Sequence, residues 1–354
     1  MQERNIVHVV GTGTIGEPLI GILSAMRREF GIDEVSFHKA TPRITDRPKL
    51  MALQQKGAIL AATPETYDEF RAMGLNPQYT HFEAIERSKV IIDCTPVGNK
   101  NREDIYDQFD DGSRVFMAQG SESGFGKPFA RGINDSALIR GEDRFIQVVS
   151  CNTHNIAVLL KTIAGVNGGT GLLENARFLC IRRASDISQS GSFIPAPEVG
   201  QHSDPDFGTH HAADAVRLFH TLGHDLDLFS SAMKLNTQYM HSIHFTIRLT
   251  KALDREDVLR RLRDERRVSV TDKVSSAQIF SFGRDHGIFG RILNQTVVSV
   301  PTVAVRGNEV VGFCFTPQDG NSLLSSLCIA LWHMHEHTWD ERMRTLRPFC
   351  FPEI

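Results

Sequence analysis

The sequence predicts an α/β protein in two parts: a Rossmann dinucleotide-binding domain and an α+β catalytic domain built on an antiparallel sheet. Three observations carry that reading. A β-branched run, Ile6–Val10, passes at once into Gly11-Thr-Gly13-Thr-Ile-Gly16 and then into a helical pattern. Strand-like and helix-like runs alternate through the first ninety-odd residues, as βαβ units of a parallel sheet require. The length of 354 residues also exceeds the common domain size by about two and a half times. The first domain is expected to take residues 1–150 and a C-terminal return at 314–354, the second 151–313.

In the opening unit, apolar residues recur at Leu19, Ile20, Leu23, Met26 and Phe30 and stop at Gly31, which marks a helix. Glu34–His38 is the second strand and Val90–Cys94 a later buried one. The glycines have separate tasks. Gly11 permits the tight turn, Gly13 lets a pyrophosphate approach the backbone, and Gly16 lets helix and strand pack closely. The helix start then offers amide N–H groups to phosphates.

The end of the second strand selects the cofactor. An NAD site wants a carboxylate there to accept from the ribose 2′-hydroxyl. The chain instead reads Ser36-Phe-His-Lys39-Ala-Thr41-Pro-Arg43, with three potentially cationic groups. This points to NADP, with NAD as the other cofactor to be considered.

Phe145–Ser150 reads as a strand, and the run from Ile156 through Ile163 as a buried helix. Cys151 lies between them, with Asn152 and Thr153 as candidate caps. A helix start favours thiolate over thiol, so the expectation is a lowered pKa and a nucleophile. Cys180, inside Phe-Leu-Cys-Ile, is expected only to pack. Tyr239–Leu249 alternates as a strand does. His241 falls on its largely apolar face with Ile243, Phe245, Ile247 and Leu249, a position more typical of a core histidine than of a catalyst.

Composition narrows the classes further. Apolar residues at 41%, charged at 23% and a net charge of −3 exclude a disordered chain and argue against nucleic acid or membrane partners. Six scattered cysteines without C-x-x-C spacing disfavour disulfides and a cysteine zinc site, and favour a reducing cytosol. The N-terminus lacks a secretory pattern, so a cytoplasmic protein is expected. The charged run Asp254–Arg267 reads as a capped helix with Val258, Leu259 and Leu262 inward, not as an RNA-binding stretch. His333 and His337 stand one helical turn apart, yet a surface helix end explains them better than a metal, and no metal site is expected. Residues 186–211 read as a long loop.

Taken together, Asp93-Cys-Thr-Pro-x-Gly98, Gln119-Gly120, Ser150-Cys-Asn-Thr153, Arg182-Arg183, His210-His211 and Met240-His241 appear in one order. They resemble the type II, archaeal-type glyceraldehyde-3-phosphate dehydrogenases, from the glycine loop to about residue 250. The resemblance implies a two-domain enzyme, usually a homotetramer, that oxidises a phosphorylated aldehyde with NAD(P)+ in glycolysis. It makes Cys151 the nucleophile and His241 the general base. Thr14, Ile15 and Gly120 become cofactor-contacting backbone, the Lys39 segment a 2′-phosphate loop, and Arg183 a neighbour of the cofactor. Ser150, Asn152, His210 and His211 match substrate and phosphate contacts, and Gln318 matches a glutamine near the nicotinamide.

The implied reaction suits these residue types. Cys151 adds to the aldehyde and His241 takes the hydroxyl proton as hydride leaves. Inorganic phosphate or water then cleaves the thioester, with Arg182, Arg183 and the histidine pair holding phosphate. The chain departs from the family at His154-Asn155, where Thr-Gly is usual, which adds bulk beside the nucleophile. It also departs after Arg183, where Ala-Ser-Asp-Ile replaces Gly-Ala-Asp-Pro. Semialdehyde and acyl-phosphate dehydrogenases share the chemistry. A non-catalytic cofactor sensor of the same fold is the rival from another class.

Overall fold

The computed structural model describes residues 4–120, 122–166, 169–186, 193–317 and 319–354. These form two compact units. Eight strands make the first sheet: β1 (Ile6–Val10), β2 (Glu34–His38), β3 (Ile59–Ala62), β4 (Tyr79–Thr80), β5 (Val90–Asp93), β6 (Val115–Gln119), β7 (Lys127–Phe129) and β8 (Phe145–Val148). Their order is β4-β3-β2-β1-β5-β6-β8-β7, parallel from β4 to β8. Such strands are covered on both faces and read as unbroken apolar runs, and β1, β5 and β6 are buried throughout. The order reverses at β1, which has β2 on one side and β5 on the other. That is the switch point outside whose strand ends doubly wound sheets bind ligands.

The helix Gly16–Ala25 follows the glycine loop, and a second short helix, Arg27–Phe30, ends at Gly31 in left-handed backbone. A buried histidine cluster sits beneath β1 and β2. His8 bonds Ser36 Oγ through Nδ1 at 2.8 Å, and His38 stacks on His81 with ring centres 4.0 Å apart. Burial holds all three rings well toward the neutral form, with His38 at about 3 and His81 at about 4.

The second sheet comprises β9 (Leu173–Arg182), β10 (Glu198–Val199), β11 (Leu228–Lys234), β12 (His241–Leu249), β13 (Val268–Thr271), β14 (Thr296–Ser299), β15 (Ala304–Arg306) and β16 (Glu309–Thr316). Its order is β10-β11-β9-β12-β16-β14-β13, with β15 beside β16. The middle, β9-β12-β16-β14, is antiparallel as expected, while β11 with β9 and β13 with β14 run parallel. The sheet is therefore mixed. Ile243, Phe245, Ile247 and Leu249 of β12 point into one core with Ile156, Leu159, Leu218, Val258 and Leu262 from helices on that face. Gly312 lies opposite Phe245, and a Cβ there would come within 2.7 Å of the phenyl ring.

The expected domain limits need redrawing. Unit 1 holds residues 1–127, 139–148 and 325–345; unit 2 holds 128–138, 149–324 and 346–354. Residues 314–324 belong to unit 2 because β16 continues through Cys314 to Thr316, in register with β12. The final residues belong there too: Ile354 N–H donates to the Val270 carbonyl at 3.0 Å. Residues 128–138 are anchored in the same unit by Asn134, whose Nδ2 donates to Thr221 Oγ1 at 3.0 Å.

The helix Arg255–Asp264 is capped by Asp254, which accepts from the Asp257 N–H at 2.7 Å, with Val258, Leu259 and Leu262 buried as expected. The described part of the long loop, from residue 193, includes β10 paired with β11. At the far end of the chain, His333 meets the Ser113 carbonyl at 3.0 Å and His335 the Phe30 carbonyl at 2.8 Å. Two of the three histidines thus bond to backbone. No helix among the described residues is long and apolar enough to cross a membrane.

Candidate active site

The glycine loop has the shape a dinucleotide needs. Gly11 takes φ +93°, and a Cβ on Gly16 would approach the Gly11 carbonyl oxygen to 2.1 Å. A Cβ on Gly13 would meet nothing within 4 Å, so that backbone is open to a ligand. No side chain caps the helix Gly16–Ala25, whose preceding residue is Ile15. The Glu17 N–H is taken by the Gly13 carbonyl at 3.0 Å and Pro18 has none, so the anion-binding amides are those of the glycine loop leading into the helix. Thr14 is buried beside them. Gly120, at φ +76°, donates its N–H to the Val148 carbonyl at 2.8 Å.

The cofactor-selecting loop differs from its sequence reading in charge. His38 is neutral, stacked on His81. Lys39 pairs with Asp46 at 2.8 Å, and Lys49 reaches the same carboxylate at 3.0 Å while donating to the Thr12 carbonyl at 3.1 Å. Thr41 and Arg43 are exposed. Two lysines thus share one acid near the glycine loop, and the acid lies eight residues beyond the strand end, where a search confined to that end misses it.

In unit 2, Cys151 is the first residue of the helix Cys151–Leu159, which runs on into a wider turn over Leu160–Ala164. The cap is Ser150, not Asn152 or Thr153: its Oγ accepts from the Thr153 N–H at 3.3 Å and bonds Thr153 Oγ1 at 2.9 Å. Asn152 and Thr153 are already inside the first turn and buried. The thiol also departs from expectation. Burial, reinforced by Asp319, pushes Cys151 up to about 12, against the opposing pull of Arg183. A helix start alone does not overcome desolvation here.

His154 and Asn155 do not crowd the sulfur as the sequence suggests. The His154 ring donates to the Ser150 carbonyl at 3.0 Å, and burial lowers its pKa to about 4. Asn155 Nδ2 donates to Thr316 Oγ1 at 2.9 Å, and its Oδ1 accepts from Cys314 Sγ at 3.3 Å. Both side chains are spent on the interior.

His241 opens β12, and the alternation behind it holds: Ile243, Phe245, Ile247 and Leu249 are buried. Tyr239, expected in the same strand, instead takes φ +82°, which leaves its carbonyl accepting from Arg183 Nη1 at 3.2 Å. The His241 Nδ1 accepts from the Arg183 backbone N–H at 3.1 Å. A neutral ring so placed carries its proton on Nε2. Burial and the cations Arg183 and Arg182 push its pKa down to about 3.

Arg183 is the hub of these residues. It is 5% exposed, pairs with Asp186, interacts with Cys151 and Asp319, and leaves Nε without a partner among the described residues. Thr316 completes the link: it lies opposite His241 in the sheet, and its Oγ1 donates to Asn152 Oδ1 at 3.1 Å. The sequence thus anticipates Cys151, Arg183 and His241 but misses Asp186, Thr316, Asp319 and Asn321, whose Nδ2 donates to the Cys151 carbonyl at 2.9 Å. Thr316-Pro-Gln-Asp-Gly320, a strand end turning into a helix, was the available signal.

His210 and His211 open the helix His210–His220. Thr209 holds its start through Ser230: the hydroxyls lie 2.6 Å apart, and Ser230 Oγ accepts from the Ala212 N–H at 3.0 Å. His211 is buried with both ring nitrogens unpartnered among the described residues. Burial and the neighbours His210, Arg182 and His241 hold it well below the usual histidine range. Arg182 is exposed at the end of β9. Gln318 lies outside the described residues.

A doubly wound sheet with an open glycine loop, joined in one chain to a second unit whose mixed sheet carries His241, with the buried Arg183 just past β9, and whose helix start carries Cys151, defines a Rossmann-type dinucleotide-binding protein with a thiol centre. No protein-family profile matches the chain. Curated relatives do. It is 30% identical over 318 residues to the glyceraldehyde-3-phosphate dehydrogenase of Metallosphaera sedula, covering 86% of this chain and 85% of that one. The proteins of that name from Sulfolobus acidocaldarius and Pyrobaculum arsenaticum are each 27% identical over 315 residues, covering 86% of this chain and 84% and 85% of theirs. The chain belongs to the archaeal-type glyceraldehyde-3-phosphate dehydrogenase family.

Proposed function

We propose that the protein is an NAD(P)-dependent oxidoreductase that oxidises a phosphorylated aldehyde, glyceraldehyde 3-phosphate or a close relative, through a covalent intermediate on Cys151. The observation that carries this reading is Arg183, which bonds His241 through its backbone while its guanidinium acts on Cys151. Family membership and the glycine loop support the cofactor. Gly11, Gly13, Thr14, Ile15, Gly16 and Gly120 would hold it, and the family resemblance adds Arg183 and Gln318. When bound, the nicotinamide supplies the hydride acceptor. Lys39, beside Lys49, favours NADP, with Thr41 in the same loop.

Cys151 Sγ, once it has lost its proton, adds to the aldehyde carbon and gives a hemithioacetal alkoxide. The His241 tautomer presents Nε2–H, which suits it to donate to that oxygen as charge develops. To act as the general base expected from the sequence, the ring would have to exchange its Arg183 bond for a proton. Loss of hydride from the alkoxide leaves a thioester, which inorganic phosphate cleaves to 1,3-bisphosphoglycerate and free thiol; water in its place would give the acid. Ser150, Asn152 and Thr153, matched by the resemblance to substrate contacts, would act by fixing the helix start that carries the sulfur. Arg182, His210 and the unpartnered nitrogens of His211 at a helix start suit the phosphate groups.

A cytoplasmic, glycolytic homotetramer is the setting the resemblance supports. The inward turn of His154 and Asn155, which leaves the sulfur uncrowded, supports the enzyme over a non-catalytic sensor. Purified protein with NADP+, phosphate and glyceraldehyde 3-phosphate should raise absorbance at the reduced-cofactor band. Cofactor binding without turnover on any phosphorylated aldehyde would return the reading to a sensor.

A further inference from the structure

Asp93 ends β5, next to β1 at the switch point of the first sheet, and it is fully buried. Three neutral donors hold its carboxylate: the Thr95 N–H on Oδ1, and Asn101 Nδ2 and Tyr106 Oη on Oδ2, each at 2.7 Å. Among the described residues no cation pairs with it. Burying a carboxylate is costly, so the acid needs a reason beyond filling the strand end.

The reason is the direction it gives to a chain of hydrogen bonds. A carboxylate that takes three donors offers no proton, so Asn101 must turn its NH2 group toward it. The same Nδ2 donates to Thr95 Oγ1 at 3.2 Å, and the Val97 N–H approaches that oxygen at 3.4 Å. Thr95 Oγ1 is therefore an acceptor within the protein, and its own proton has no acceptor among the described residues. Thr95 is half-buried, and its Cγ2 lies 3.2 Å from where a Cβ on Gly11 would stand. A donor of fixed direction thus sits against the first glycine of the open loop.

We propose that Thr95 binds the dinucleotide by donating this proton to the pyrophosphate, and that Asp93 and Asn101 are the positioning residues that aim it. This deepens the proposed function and rests on its cofactor reading. Pyrophosphate oxygens only accept, which matches a hydroxyl whose oxygen is already engaged by Asn101 and Val97. The pyrophosphate is common to NADP and NAD, so this contact holds either one and leaves the choice between them to Lys39.

Calorimetric titration of the full chain with NADP+ and with NAD+ tests this without aldehyde or turnover. Thr95→Val keeps the shape and loses the hydroxyl. Its Kd should rise about tenfold for each dinucleotide that the parent binds, while Thr95→Ser should stay within about twofold of the parent. An unchanged Kd in Thr95→Val overturns the proposal and leaves the cofactor reading standing. A tenfold loss that Thr95→Ser shares overturns it as well, because shape and not the hydroxyl would then matter. A parent that binds neither dinucleotide sinks the cofactor reading and this proposal together. If Thr95→Val does not fold, Asn101→Ala removes the bond that directs the hydroxyl. Its Kd should rise about threefold, and an unchanged value also overturns the proposal.

Discussion

The backbone N–H of Arg183 donates to Nδ1 of His241 at 3.1 Å, and this bond decides what the imidazole can offer. With Nδ1 occupied and the conjugate acid pushed down to about 3, the ring does not titrate in the neutral range. The kcat/KM of the wild type should therefore rise with pH as Cys151 ionises, with no step near the ordinary histidine pKa. His241→Ala should lower kcat about a hundredfold or more without changing that shape. A histidine-like inflection in the wild type that vanishes in His241→Ala would contradict the tautomer.

Cofactor choice turns on the pair Lys39 and Asp46. Lys39→Ala should raise KM for NADP about tenfold relative to NAD, whereas Asp46→Ala, which frees both lysines, should lower it. Steady-state kinetics with each cofactor decide the matter; equal effects on both would remove Lys39 from the 2′-phosphate.

The His211 ring is buried, lies within the field of Arg182, and has both nitrogens unpartnered among the described residues. His211→Ala should raise KM for a phosphorylated aldehyde about tenfold and leave an unphosphorylated analogue nearly unaffected. Equal losses on the two substrates would point to a packing role.

Several buried histidines make the fold acid-sensitive. His154 has its pKa lowered to about 4, so below about 6.5 the unfolded chain takes up a proton that the folded one refuses. Stability therefore falls as pH drops from about 6.5 toward 4, and His38, His81 and His241 act in the same direction. His154→Gln keeps a donor for the Ser150 carbonyl but loses the proton-binding site. Its Tm should decline less steeply over that range than the parent's; parallel slopes would exclude His154 as a contributor.

The parts of the fold readable from sequence were those with local causes. The Ile6–Val10 run, the glycine spacing and the alternation through β12 each follow from strand burial or a turn's backbone demands. The site was legible only where a residue type advertises its chemistry, as Cys151 does at a helix start. What escaped was non-local. Nothing near Tyr239 in sequence announces that its carbonyl meets Arg183, and Asp319 lies 168 positions from the sulfur it influences. The cysteine pKa was misjudged for the same reason: a helix start is visible in sequence, the desolvation around it is not.

The central claim is that substrate carbon becomes bonded to Cys151 Sγ. Protein mixed with glyceraldehyde 3-phosphate and oxidised cofactor, without phosphate and quenched in acid, should show an acyl adduct on the Cys151 peptide by mass spectrometry. The adduct should disappear when phosphate is added and be absent from Cys151→Ser, together with all turnover. Undiminished cofactor reduction by Cys151→Ser would contradict the account.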